Sequence, residues 1–264
     1  MSTTQLYEKE VTLQADRRRS GVELIKIISD LWYDKSIELV LFRNHLIDRN
    51  VSEILNLHEY AGEFVGKPIS ILDSVEIASV ILSLDLPPSK LDIGKLTYEY
   101  GLLDEKYPDA RHFVIDKLKE AKTSDEIQPK DVVLYGFGRI GRLLARELMS
   151  KTGKGDQMRV KAIVTRDKND ATKIKKRASL LRYDSIHGDF NGSVIADPAN
   201  NALIINGTTV HMITANTPEE IDYTAYNIDN ALVIDNTGAF TTQEALSRHL
   251  TSKGTDKVLL TAPG

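Results

Sequence analysis

Val132–Leu148, VVLYGFGRIGRLLAREL, places a short strand-forming run before a glycine corner and a helical run behind it. Gly136, Gly138 and Gly141 form a GxGxxG string. That string is weak evidence in isolation, but here it lies between a strand and a helix, the context its chemistry requires. Gly136 permits a tight turn, Gly138 lets backbone approach a pyrophosphate, and Gly141 lets the helix pack close to the strand. A dinucleotide's pyrophosphate would then lie on the helix N-terminus, where unpaired amides and the dipole favour negative charge. The plainer alternative is a glycine-rich turn in some other α/β protein.

Downstream, the texture alternates strand, turn and helix. Arg159–Thr165, Ala231–Asp235 and Lys257–Thr261 are short apolar runs of the kind found in buried parallel strands. Asn206-Gly207 between ALII and TTVHMIT is a strong two-residue hairpin signal, so those two strands pair antiparallel. Thr217 with Pro218 and Glu220, and Thr241 with Glu244, mark helix starts. The alternation predicts an α/β, Rossmann-type doubly wound sheet over residues 131–264. Its second strand ends AIVTRDKND, where an acid would meet a ribose 2′-hydroxyl and an arginine a 2′-phosphate. Thr165 and Arg166 come first and Asp167 follows, and the spacing leaves both NAD and NADP open.

Upstream the pattern is different. Val22, Leu24, Ile25, Ile28, Leu31 and Trp32 form a helical stripe, as do Leu39, Val40, Phe42 and Leu46, and then Ile54, Leu55, Leu57 and Phe64. Ser20, Ser70 and Ser89 each stand three residues before an acid and read as helix caps. Residues 1–122 are therefore expected to be an all-helical N-terminal domain, with five or six helices between 18 and 121. Residues 123–130, charged and proline-bearing, read as a linker.

Composition sets outer limits. The 264 residues carry a formal charge of −4, which argues against an electrostatic nucleic-acid footprint. No apolar run reaches membrane-spanning length, and MSTTQLYEKE lacks a secretory layout, so the expected compartment is the cytoplasm. With no cysteine anywhere, disulfides, thiolate metal sites and cysteine nucleophiles are all absent from these residues.

Five stretches in order carry a family resemblance. YGFGRIGRLLAREL, LRYDSIHGDFNGSV, LIINGTTVHMI, DNTGAFTTQEAL and KVLLTAPG resemble successive segments of the glyceraldehyde-3-phosphate dehydrogenases. The helical front resembles the N-terminal extension of a longer bacterial subgroup. The resemblance implies that Phe137, Gly138, Arg139 and Ile140 surround the pyrophosphate of NAD or NADP. Asn236, Thr237 and Gly238 would edge the cofactor, with Phe240 beside the adenine and Thr261 near the nicotinamide half. Val164-Thr165-Arg166 departs from the family's asparagine-aspartate-proline, and Asn216 stands where many members carry an arginine.

The family's chemistry adds a cysteine thiolate to glyceraldehyde 3-phosphate, with a histidine to activate it, in a homotetramer. These 264 residues hold no such cysteine. The expectation is the extension plus the cofactor half, inactive by itself; the alternative is a cofactor-binding or interaction module. His45, His58 and His112 are expected on helix surfaces, and His187 in a structural hydrogen bond. KIKKR (173–177) reads as a solvated helix face and DRRRS (16–20) as a charged approach to a helix.

Overall fold

The computed structural model describes residues 3–103, 106–120, 128–155 and 157–262. The chain divides into two compact units, Met1–Glu126 and Ile127–Gly264. No helix among the described residues is long and apolar enough to cross a membrane.

The first unit contains α1 (Thr3–Lys35), β1 (Ile37–Leu41), β2 (Asn44–His45), α2 (Val51–Val65) and α3 (Ile71–Ser83). It continues with β3 (Ser89–Asp92), α4 (Ile93–Leu102) and α5 (Ala110–Leu118). Its core joins Leu24, Ile28 and Leu31 of α1 to Ile54 of α2, Ile77 and Ile81 of α3, and Phe113 of α5. Each such side chain contributes roughly 1.5–3 kcal/mol on burial. Asn50 and Glu53 cap α2 reciprocally, and Ser70 caps α3 as its spacing predicts.

The unit is mainly helical but carries a three-stranded sheet in the order β2-β1-β3. The stripe expected from Leu39, Val40, Phe42 and Leu46 is instead strand β1 followed by a hairpin turn. Ile37, Leu39, Val40 and Leu41 are all buried, and a short apolar run buried on both faces has no period that separates strand from helix. Ser89 begins β3 rather than capping a helix, and the cap of α4 is Asp92, which accepts from Lys95 N. Ser20 lies inside α1, its hydroxyl donating to the Asp16 carbonyl. His45 sits in β2 against Glu38. His58 is buried: Nδ1 faces the Ile54 carbonyl at 2.8 Å and Nε2 the Ser74 hydroxyl at 3.1 Å. Burial lowers its pKa below the ordinary histidine value. Only His112 is the exposed helical histidine expected. Of the expected linker, residues 123–127 lie outside the described residues, and Lys130 already belongs to a strand.

The second unit runs β4 (Lys130–Tyr135), α6 (Arg139–Ser150), β5 (Met158–Thr165), α7 (Ala171–Arg182), β6 (Tyr183–Asp184) and β7 (Gly188–Asp189). It continues with β8 (Val194–Asp197), β9 (Ala202–Ile205), β10 (Thr208–Thr214), β11 (Ala231–Asp235), α8 (Gln243–Ser247) and β12 (Thr255–Leu260). Seven strands form one sheet in the order β12-β11-β4-β5-β10-β9-β8. The first five are parallel; β9 and β8 close one edge antiparallel. Asn206 and Gly207 take positive φ at the β9–β10 hairpin, as their type predicts. Alternation along β4 divides the core. Val132 and Leu134 face Ala145, Met149, Ile174 and Leu181 of α6 and α7. Val133 and Tyr135 face Tyr223, Ile228 and Phe240 on the other side. Both faces are covered, so the strands read as continuous apolar runs.

Two expected helix starts shift in detail. Pro218–Glu220 is a single 3-10 turn, and the cap of α8 is Thr242 rather than Thr241.

Candidate functional site

In the sheet order, β4 lies between β5 and β11, so the chain leaves β4 toward one side and returns on the other. The crevice opens at the carboxyl ends of β4 and β11, where ligands of doubly wound sheets bind. It brings Gly136–Gly141 beside Asn236–Gly238.

Gly136 turns the chain at φ +96°, and its amide donates to the Val164 carbonyl at 2.9 Å. A methyl group there would lie 2.8 Å from Thr237 Cγ2 and 3.2 Å from Thr237 N. At Gly141 a methyl group would be driven into the Gly136 carbonyl oxygen. Strand, turn and helix therefore meet at van der Waals distance only through glycine. Gly138 differs: it caps α6 in extended geometry, and among the described residues no side chain bonds the first-turn amides and nothing lies within 4 Å of its would-be Cβ. Uncapped amides at a helix start facing open space are what a pyrophosphate requires, so the residues fit a dinucleotide. Phe137 is buried beneath this corner, whereas Arg139 and Ile140 are exposed on the first turn.

Asp184 binds this corner to the β6–β7 turn. Its Oδ1 accepts from the amides of Ile186 and His187 and lies 2.9 Å from His187 Nδ1. Its Oδ2 lies 3.7 Å from Arg142 and 4.0 Å from Arg139. His187 thus has the structural hydrogen bond expected of it. The bond from His187, with those two amides, holds the Asp184 carboxyl well below the usual carboxylate range. A carboxyl depressed on folding stabilises the fold above its unfolded value, about pH 3.9, and loses that contribution as pH falls further. Denaturant midpoints measured below pH 4 will fall more steeply for the unmodified chain than for Asp184→Asn. Parallel pH profiles would show that Asp184 has no such role.

At the end of β5, Thr165 is buried, its hydroxyl 3.4 Å from Asn169 Oδ1. Arg166 is exposed and makes no ion pair among the described residues. The Asp167 carboxylate lies 3.6 Å from Lys173 and 3.7 Å from Arg177, so two residues of KIKKR face an acid rather than only solvent. Ile174 packs inward as an amphipathic helix requires. Asn216 donates its amide to Glu220 at 2.9 Å.

Across the crevice, the Asn236 amide donates to the Tyr135 carbonyl at 2.8 Å. The Thr261 hydroxyl lies 3.0 Å from both the Asp235 carbonyl oxygen and Asn236 Oδ1, which share its one proton. Gly238 takes φ +68°, with Ala262 Cβ 3.8 Å from its would-be Cβ. Phe240 is 7% exposed, packed on Tyr135 and His249 with Arg248 over its ring, so it is mainly a core residue. Pro263 and Gly264, the end of the TAPG stretch, lie outside the described residues.

Sequence reading passed over Asp235 and His249. Both are fully buried, and His249 Nε2 lies 2.8 Å from Asp235 Oδ2. The acid looked like the end of a strand, and the histidine, fourteen positions later, had no pattern around it.

A family profile described as the glyceraldehyde 3-phosphate dehydrogenase NAD binding domain matches residues 130–243. A glyceraldehyde-3-phosphate dehydrogenase-like protein of Pseudomonas aeruginosa is 39% identical over 246 residues, 91% of this chain and 53% of that protein. That alignment is longer than the second unit, so it takes in most of the helical one. Glyceraldehyde-3-phosphate dehydrogenase 2 of Synechocystis is 37% identical over 133 residues, 50% of this chain and 36% of that protein. The enzyme of the same name from Bacillus subtilis is 35% identical over 133 residues, 50% and 35% of the two chains. This chain therefore spans about half the length of the first relative and about a third of the others.

Proposed function

The chain belongs, through residues 130–243, to the glyceraldehyde-3-phosphate dehydrogenase family, and from that premise we propose that it is the NAD(P)-binding portion of a phosphorylating member. The observation that carries this reading is the uncapped start of α6, open at Gly138, at the point where the sheet reverses its winding. The α6 amides would hold the pyrophosphate, with Arg139 and Ile140 beside it. Asn236, Thr237, Gly238 and Thr261 would line the opposite edge. A nicotinamide held there would supply the hydride acceptor for aldehyde oxidation in the whole protein. The whole protein would act on glyceraldehyde 3-phosphate in the cytoplasm as a homo-oligomer. Residues 1–122 would be a separate, mainly helical domain that carries the β2-β1-β3 sheet.

The 264 residues contain no cysteine, and serine and threonine hydroxyls ionise far less readily than a thiol. Calorimetry with NAD and NADP should show weak binding, while glyceraldehyde 3-phosphate with phosphate and cofactor should show no nicotinamide reduction. No heat from a folded chain would overturn the cofactor reading. Turnover would overturn the dependence on a cysteine.

Selectivity follows from the end of β5. Asp167 is engaged by Lys173 and Arg177, which leaves Arg166 to meet a 2′-phosphate. NADP should be accepted at least comparably with NAD, and Arg166→Ala should weaken NADP about tenfold, leaving NAD unchanged. Equal affinities of the variant and the unmodified chain for NADP would remove the arginine from the account.

A further inference from the structure

We infer that the buried Asp235–His249 pair is a positioning device that sets the cofactor-facing loop Asn236–Gly238; the inference rests on the reading of that loop as the cofactor's edge. The carboxylate is divided between two tasks. Oδ1 accepts from the Thr237 amide at 2.8 Å and from the Thr237 hydroxyl at 2.7 Å. Oδ2 faces His249 Nε2 at 2.8 Å. Among the described residues His249 makes no other side-chain hydrogen bond: its Nδ1 has no partner there, so the proton that serves the pair is the one on Nε2. Its ring stands edge-on to Tyr135 at 4.5 Å and to Phe240 at 5.2 Å between centroids, which fixes the imidazole plane.

The loop transmits the position of the carboxylate to the pyrophosphate edge of the crevice. Thr237 Cγ2 sits where a side chain on Gly136 would be, so a displaced Thr237 presses on the pyrophosphate turn. The Thr237 hydroxyl also accepts from the Ala239 amide at 3.1 Å, extending the set toward Gly238 and Phe240. On the other side, the Asp235 carbonyl accepts from the Thr261 amide at 3.1 Å and hydroxyl at 3.0 Å. Asp235 therefore holds the loop through its carboxylate and the end of β12 through its main-chain carbonyl, and His249 holds the carboxylate. Burial alone would raise the Asp235 carboxyl; the bonds from His249 and Thr237 instead hold it below the ordinary value. Without His249 the carboxylate would be a buried charge with a vacant side, and it would have to turn or take up a proton.

The test is NAD affinity by calorimetry on the full chain, with amide exchange at Thr237 in the absence of ligand. His249→Gln keeps a nitrogen donor near the Nε2 position and should bind within about threefold of the unmodified chain; His249→Leu should bind about tenfold more weakly, with faster exchange at Thr237. If His249→Leu does not stay folded, Asp235→Asn takes its place, with a loss of at least about threefold expected. Unchanged affinity in folded His249→Leu or Asp235→Asn would overturn the inference, as would failure of glutamine to restore what leucine loses. Failure of the unmodified chain to bind NAD would instead defeat the cofactor reading and this inference with it.

Discussion

Gly141→Ala should lower the stability of the second unit by about 2–3 kcal/mol and abolish measurable dinucleotide binding. The would-be Cβ collides with the Gly136 carbonyl oxygen, a backbone atom that cannot rotate away as a side chain could. Relief requires α6 to withdraw from the end of β4, which buries Ala145 and Met149 against Val132 and Leu134. The same withdrawal moves the first-turn amides out of register with the strand ends. Gly138→Ala separates fold from function at the same corner. Its φ of −70° is ordinary for alanine and its Cβ meets nothing, so stability should stay within about 0.5 kcal/mol. Dinucleotide affinity should nevertheless fall about tenfold, because the methyl group enters the space the phosphates need. Hydrogen exchange over β4 and calorimetry with NAD measure the two effects. A Gly141→Ala chain that melts and binds like its parent, or a Gly138→Ala chain that keeps full affinity, would show that the corner holds something else.

Phe113→Ala should cost the first unit about 3–5 kcal/mol and leave the dinucleotide site alone. Phe113 is fully buried, with the rings of Tyr100 and Tyr107 packed 5.2 and 5.3 Å from its centroid. Truncation leaves a cavity that those two rings cannot fill by small shifts. Trp32, the single tryptophan of the chain, is buried in the first unit, so its fluorescence reports that unit's unfolding. NAD affinity should change by less than about twofold if the units fold separately. A parallel loss of affinity would mean that the two units fold as one, against the division into helical and nucleotide-binding domains.

The nucleotide-binding half was legible because its signals are local and each has one physical cause. Gly136, Gly138 and Gly141 state where backbone must turn or approach closely, and buried parallel strands must be apolar throughout. Asn206-Gly207 states a hairpin, since both residues accept positive φ at little cost. The front half was less legible for the same kind of reason. IELVL is too short and too completely buried to show a period, so β1 read as helix. His58 looked like a surface histidine because nothing in its neighbourhood announces Ser74, which reaches it from the next helix.

What the sequence alone determined is the parallel sheet, the glycine corner and the absence of a thiol from these residues. Tertiary structure alone decided which polar groups meet. Asp235 and His249 come from a strand end and a 3-10 turn, and Asp184 finds Arg142 across a helix and a hairpin. Backbone signals follow from a residue and its near neighbours, whereas a buried charge is assigned its partner only when separate elements have packed.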